Sequence, residues 1–233
     1  MHKAETIKKE LKKIADKDKA IQLSRFFKTG KGEYGEGDLF IGIKVPDQRK
    51  IAKLFTNTEL LEIEKLLDDP VHECRLTALL ILIDKYKNAD ENFKEKIVEF
   101  YLSKTPRINN WDLVDLSAPQ IIGNFYFNRE KDRLYKLVKS SSLWEQRIAV
   151  VSTYYFIKKD DFIEILAFSE MLLEHKHDLI HKATGWMLRE TGKRNLSVLR
   201  DFLDVHHKVM PRTMLRYSIE KLDDTERRKY MSK

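Results

Sequence analysis

Cysteine is nearly missing from this sequence: Cys74 is the only one in 233 residues. An internal disulfide and a cysteine-based zinc site are thereby excluded, and a reducing compartment suits the chain. Glycine and proline are scarce as well, at 8 and 5 residues. That excludes a collagen-like or low-complexity chain and argues against an all-β barrel with its many tight turns. Long apolar runs are lacking too. The longest aliphatic stretch, Ala78 to Ile83, is far short of a membrane span, and Met1 to Glu10 holds no apolar segment. The expectation is a cytoplasmic chain with no leader and no membrane partner.

What is present is 42% hydrophobic beside 35% charged residues, the mixture of an amphipathic helical protein. The length suffices for a substantial core without metal or disulfide staples. Lys and Arg exceed Asp and Glu by 44 to 37, a net charge of +7, and the segment Lys182 to Lys233, with 13 basic and 7 acidic residues, holds +6 of it. A basic region on a helical scaffold favours a polyanion such as nucleic acid over an acidic membrane, for which no basic amphipathic helix with a Trp/Leu anchor is present. A solvated, slightly basic surface is the alternative at this point.

Apolar residues recur at helical spacing, as in Leu76, Leu79, Leu80 and Ile83 and in Ile148, Val151 and Tyr155. Asp69-Pro70 and the capping box Ser142-Leu143-Trp144-Glu145 read as helix starts, and Gly192 as a stop. Arg75, Asp112, Arg147 and Lys182 fall in equivalent places of successive segments, 37, 35 and 35 residues apart. Second helices follow at Phe93 to Leu102, Arg129 to Val138, Phe162 to Leu173 and Leu196 to His206. Helix pairs at such a period predict an all-α solenoid of stacked antiparallel pairs, since one pair cannot bury its own apolar face. A non-repetitive helical bundle is the alternative. No Pro/Ser-rich linker divides the chain, so residues 1–233 read as one domain.

Four segments invite a chemical reading. Gly30 to Gly35 matches G-x-G-x-x-G, but Arg25-Phe26-Phe27-Lys28 before it is helical rather than a strand, so it reads as a flexible loop between helices. His175, His177 and His181 form H-x-H-x3-H without a carboxylate at a distinctive spacing, and read as surface residues. In Asn109-Asn110-Trp111-Asp112-Leu113-Val114-Asp115-Leu116-Ser117-Ala118-Pro119, Trp111 and Asp115 are i and i+4 on one helix face. Burying that face would strand a carboxylate, so the pair is expected to line a groove, with pairing to a basic neighbour as the alternative. Pro119 cannot bond the carbonyl of Asp115 and predicts a kink beside the carboxylate, unless it starts a new helix after a Ser117 cap. Farther on, Lys182, Trp186, Arg189 and Glu190 share a helix face, and Gly185 in mid-helix signals the close approach of a ligand or another backbone. A carboxylate within a cationic groove is repelled by phosphates and needs a compensating role. Stabilising the oxocarbenium-like sugar of glycosidic cleavage is one, and an indole face adds cation–π attraction.

In order and spacing, Phe40-Ile41-Gly42-Ile43-Lys44-Val45-Pro46-Asp47-Gln48-Arg49, Asn110 to Asp115, Trp144-Glu145-Gln146-Arg147 and Lys182 to Glu190 resemble the AlkD-type DNA alkylation-repair glycosylases. The resemblance runs from Phe40 to Lys193. It implies a HEAT-like α-solenoid with a concave basic groove, and base excision of cationic N3- or N7-alkylated purines such as 7-methylguanine and 3-methyladenine. The partner is then duplex alkylated DNA, and the protein is expected to act as a monomer at the nucleoid, with no cofactor or metal. Asp115 matches the carboxylate that supports the sugar cation and positions water, and Trp111 and Trp186 match aromatics that contact the deoxyribose. Arg147 and Arg189 match residues that engage DNA near the lesion, and Lys182 and Lys193 complete the expected DNA-binding set. The rival expectations are a non-catalytic helical-repeat module for damaged or branched DNA and a protein–protein scaffold.

Overall fold

The structure, a computed structural model, describes residues 3–232. About 70% of it is helical. Among the described residues there is no strand, only an isolated parallel bridge between Leu39 and Val71. The all-α expectation holds. None of the described helices is long and apolar enough to cross a membrane.

The chain forms two compact units, Met1–Leu113 and Val114–Lys233. Their boundary falls inside helix α7 (Trp111–Ala118) rather than in a loop, which is why no linker composition marks it in the sequence. The first unit holds α1 (Lys3–Lys13), α2 (Lys17–Phe26), α3 (Val45–Leu54), α4 (Leu60–Leu67), α5 (His72–Lys87) and α6 (Glu91–Ser103). Helix α5 is its centre, packed by α3 and α4. Every residue from His72 to Ile83 is buried, because the continuous run Ala78 to Ile83 is apolar all round and needs neighbours on every side.

In the second unit α7 continues through a π-helical turn (Pro119–Gly123) into α8 (Asn124–Tyr126). There follow α9 (Asp132–Val138), α10 (Leu143–Ile157), α11 (Ile163–Met171), α12 (Asp178–Arg194), α13 (Leu196–His206), α14 (Arg212–Ser218) and α15 (Asp224–Met231). Helix α10 packs on the π-helical turn, α9, α11 and α12, and α12 packs in turn on α13 and α14.

The predicted second helices are found, with α13 at the bounds the periodicity gave. Ser142 caps α10, accepting from the Glu145 N–H at 3.4 Å, but Glu145 turns its carboxylate to the Ser140 hydroxyl instead of closing the box. Two signals were misleading. Helix α5 starts at His72 with Val71 as N-cap, and Asp69 instead accepts from the Val71 N–H at 2.8 Å, holding the turn before the helix. Helix α12 runs through Gly192 to Arg194, because Leu199 packs where that glycine lacks a side chain and Asn195 caps both α12 and α13. Pro119 neither ends the helix nor starts a fresh one after Ser117. The chain takes a wider turn in which the Asn124 N–H reaches back five residues to the Pro119 carbonyl.

Gly185 settles between its two sequence readings as a helix–helix contact. A methyl group there meets the Met214 carbonyl at 2.5 Å and Tyr217 Cβ at 2.6 Å, both fixed parts of the α14 segment. Alanine is the better helix former, but the clash outweighs that gain, so Gly185→Ala is expected to destabilise the protein by about 1–3 kcal/mol. Urea unfolding of the variant checks this, and a gain in stability would mean that α14 stands off from α12.

Candidate functional site

Asp115 lies on the second turn of α7, and its partner comes from α10. Arg147 is buried with its side chain 6% exposed, while that of Asp115 is 16% exposed. The guanidinium is planar and carries parallel donors, so it grips the carboxylate as a fork: Nε donates to Oδ1 at 2.9 Å and Nη2 to Oδ2 at 2.8 Å. Its third arm, Nη1, donates to the Leu179 carbonyl of α12 at 2.6 Å. One side chain therefore ties α7, α10 and α12 together and fixes the carboxylate plane. The basic-neighbour alternative for Asp115 is thus realised, and the carboxylate remains partly exposed. Arg147, expected against DNA, has its guanidinium committed to protein acceptors.

Trp186 belongs to the same side of this unit. Tyr154 is seven residues after Arg147 on α10, and Trp186 is seven after Leu179 on α12, so both pairs recur on the same helix faces about two turns, or about 10 Å, farther along. There the two rings meet, with centroids 5.9 Å apart, and Lys158 stands over Tyr154 at 4.5 Å. The other expected DNA-binding residues lie on α12 before and after Trp186, each already paired with an acid. Lys182 Nζ lies 2.7 Å from Asp178, Lys193 donates to Glu190 at 2.8 Å, and Arg189 pairs with Glu190 and Glu220. The exposed Lys182–Asp178 pair is worth about 0–1 kcal/mol, so exchanging its acid for a phosphate costs little, whereas Arg189 and Glu190 are largely buried. Lys182 also lines a polar hollow of about 440 Å³ with Arg216, Tyr217 and Thr213.

His175, His177 and His181 are engaged locally. His177 Nδ1 accepts from the Leu179 N–H at 3.1 Å as the N-cap of α12, His175 Nε2 faces Gln146 Oε1 at 2.9 Å, and His181 Nε2 faces the His175 carbonyl at 2.5 Å. Burial holds the pKa of His175 and of His177 below the usual imidazole value.

In the first unit Trp111 is half-buried against aromatic rings. It stacks on Phe27 at 5.1 Å, meets Phe26 edge-on at 5.9 Å, and its indole N–H donates to the Tyr34 hydroxyl at 3.2 Å. Beside it lies a charged network that the sequence reading missed. His72 at the start of α5 is bracketed by Asp38 (Nδ1, 3.1 Å) and Asp112 (Nε2, 2.8 Å), and Arg75 pairs with Asp38 and with Asn109. The glycine-rich segment is the expected loop between α2 and α3, with Asp38 anchoring its end in the interior. The available signal was the repeat register itself: Arg75, Asp112 and Arg147, at equivalent positions, are all buried and all ion-paired or hydrogen-bonded.

Burial alone pulls the His72 pKa down, but the charge and hydrogen bond of Asp112, joined by Asp38, outweigh it and raise the value to about 9 from 6.5. A raised histidine pKa stabilises the fold fully below pH 6.5, and that contribution fades as pH climbs to about 9. The expected loss of unfolding free energy across that interval is up to about 3 kcal/mol. Urea midpoints measured at both ends of the interval test it, and a midpoint that holds or rises toward the alkaline end contradicts it.

The profile of the DNA alkylation repair enzyme family matches residues 7–222. Among solved structures, one titled "Predicted DNA alkylation repair enzyme from Enterococcus faecalis" aligns with a TM-score of 0.72 at 16% identity, covering 90% of this chain and 97% of that one. At that identity the likeness is one of fold. No curated protein matches the chain. With a family match that spans all but the ends of the sequence, this chain belongs to the DNA alkylation repair enzyme family.

Proposed function

We propose that the chain is a DNA glycosylase that hydrolyses the N-glycosidic bond of cationic N3- or N7-alkylated purines in duplex DNA. The observation that carries this reading is Asp115, a partly exposed carboxylate whose orientation is fixed by the buried Arg147 fork. A preorganised negative charge of this kind stabilises a developing cation without reorienting during the reaction.

An alkylated purine that bears a positive charge leaves as a neutral base, taking the electron pair of the C1′–N bond with it. No general acid is needed. The deficit stays on the sugar as an oxocarbenium-like centre, which Asp115 stabilises by charge while Trp111 and Trp186 offer indole faces to the deoxyribose. Water then adds its oxygen to C1′ and gives up a proton to the Asp115 carboxylate or to solvent, leaving an abasic sugar. Arg147 acts through Asp115 by holding it. Arg189, Lys182 and Lys193 exchange their acid partners for phosphates, a contact that positions the duplex without reading its sequence.

The test is the fate of the strand. Incubation at neutral pH with end-labelled duplex carrying N7-methylguanine, followed by an abasic-site endonuclease, is expected to cut the strand at the lesion because an abasic site has formed there, while the same duplex without the protein stays whole. Bound duplex that the endonuclease leaves intact would give the function to a non-catalytic damage-binding module instead.

A further inference from the structure

The His72 network takes no part in the reaction just proposed, yet it ends on Trp111. All of it lies within Met1–Leu113. Both ring nitrogens of His72 face carboxylate oxygens, Asp38 Oδ2 and Asp112 Oδ2. An ionised carboxylate only accepts, so a neutral ring would set a lone pair against one of them, and the geometry calls for two N–H donors. Arg75 binds the second oxygen of Asp38, and Asn110 Nδ2 donates to Oδ2 of the same group at 3.2 Å. Two cations thus face two carboxylates, which leaves no buried charge uncompensated.

Two lines run from this cluster to the indole. Along the backbone, Asn110 Oδ1 accepts the Trp111 N–H and Asp112 Oδ1 the Leu113 N–H, each at 2.8 Å, so the residues that bind Asp38 and His72 also cap the first turn of α7. Through the rings, His72 stacks on Phe40 at 4.6 Å, Phe40 on Phe27 at 5.1 Å and Phe27 on Trp111 at 5.1 Å. The indole is therefore the outer end of a column that begins at the imidazole. An apolar side chain in place of His72 would fill the space equally well but would not set the register of Asp112.

We infer that His72 is a positioning residue for the Trp111 indole, acting through the Asp112 carboxylate and the Phe40–Phe27 rings. Its effect on turnover rests on the glycosylase reading above, whereas its effect on the indole does not. The groups facing His72 are Asp38 from the loop, Arg75 from its own helix and Asp112 from α7. Lys19, Lys44 and Glu73 line the same cavity of about 360 Å³, and the Glu73 carboxylate is taken up by the amides of Ile41, Gly42 and Ile43. Loss of the His72 proton, which titrates at about 9, is therefore the event that disturbs the column.

Protein labelled with 5-fluorotryptophan carries three probes, because the chain has three tryptophans. The fluorine resonance of Trp111, assigned by its disappearance in Trp111→Phe, is expected to titrate with an inflection near pH 9. In His72→Gln that titration vanishes and the resonance shifts, while the signals of Trp144 and Trp186 stay in place. Base release by His72→Gln then falls by about tenfold or more, with duplex affinity within about twofold of wild type. A Trp111 resonance indifferent to both pH and His72→Gln overturns the inference, as does a resonance that moves while turnover is unchanged. If wild type releases no base, the glycosylase reading fails and the resonance alone decides the positioning. Should His72→Gln not fold, the wild-type titration decides it without a variant.

Discussion

Asp115→Asn is expected to slow release of alkylated bases by about two orders of magnitude or more, because it removes the one fixed negative charge proposed to face the sugar cation. The amide keeps the shape and still accepts one N–H from Arg147, so the change isolates charge from position. It also leaves Arg147 buried without its counter-charge, and a stability loss of about 1–3 kcal/mol accompanies it. Rates therefore need to be read well below the unfolding midpoint. Duplex affinity is expected to hold or rise, since a carboxylate near phosphates repels them.

The second large effect belongs to Arg147. Arg147→Ala removes both fork donors from Asp115, the strut to the Leu179 carbonyl and the volume of a buried side chain. Breaking a buried pair of this kind costs about 3–5 kcal/mol, which for a chain of this size lowers the melting temperature by roughly 10 °C. Base release falls as well, because Asp115 no longer holds one orientation. Arg147→Lys restores the charge but not the planar fork, and recovers only part of either loss. Salt dependence separates this role from a phosphate contact. The slope of log affinity against log salt stays unchanged in Arg147→Ala, whereas Arg189→Ala flattens it by about one unit. A flattened slope in Arg147→Ala would mean that Arg147 leaves Asp115 for a phosphate when DNA binds.

Local signals in the sequence were read well where local physics decides the outcome. The period of helix pairs, the Ser142 cap and the bounds of α13 follow from side-chain spacing and backbone capping within a few residues. Gly192 and Asp69 misled because tertiary packing overrode the local preference, through Leu199 in one case and the turn before α5 in the other. Pro119 does disturb the helix next to Asp115, and a wider helical turn absorbs it. The pairing of Asp115 with Arg147 spans 32 residues, and that of Asp38 with Arg75 spans 37. No window of local sequence reports such distances. The repeat register hints at them, since three of its four members, Arg75, Asp112 and Arg147, are buried charges, although the fourth, Lys182, is not. The glycine-rich segment is a loop between helices, as its composition suggests, and only the contacts of Asp38 show where it is pinned.

The central claim is that this chain breaks a glycosidic bond with Asp115. Chromatography of the free bases released from methylated duplex DNA, wild type beside Asp115→Asn with duplex binding followed in parallel, tests that most directly. The account predicts free 7-methylguanine or 3-methyladenine from the wild type, and almost none from the variant although it still binds DNA. Equal release by both proteins, or none from a wild type that binds the duplex, would contradict it.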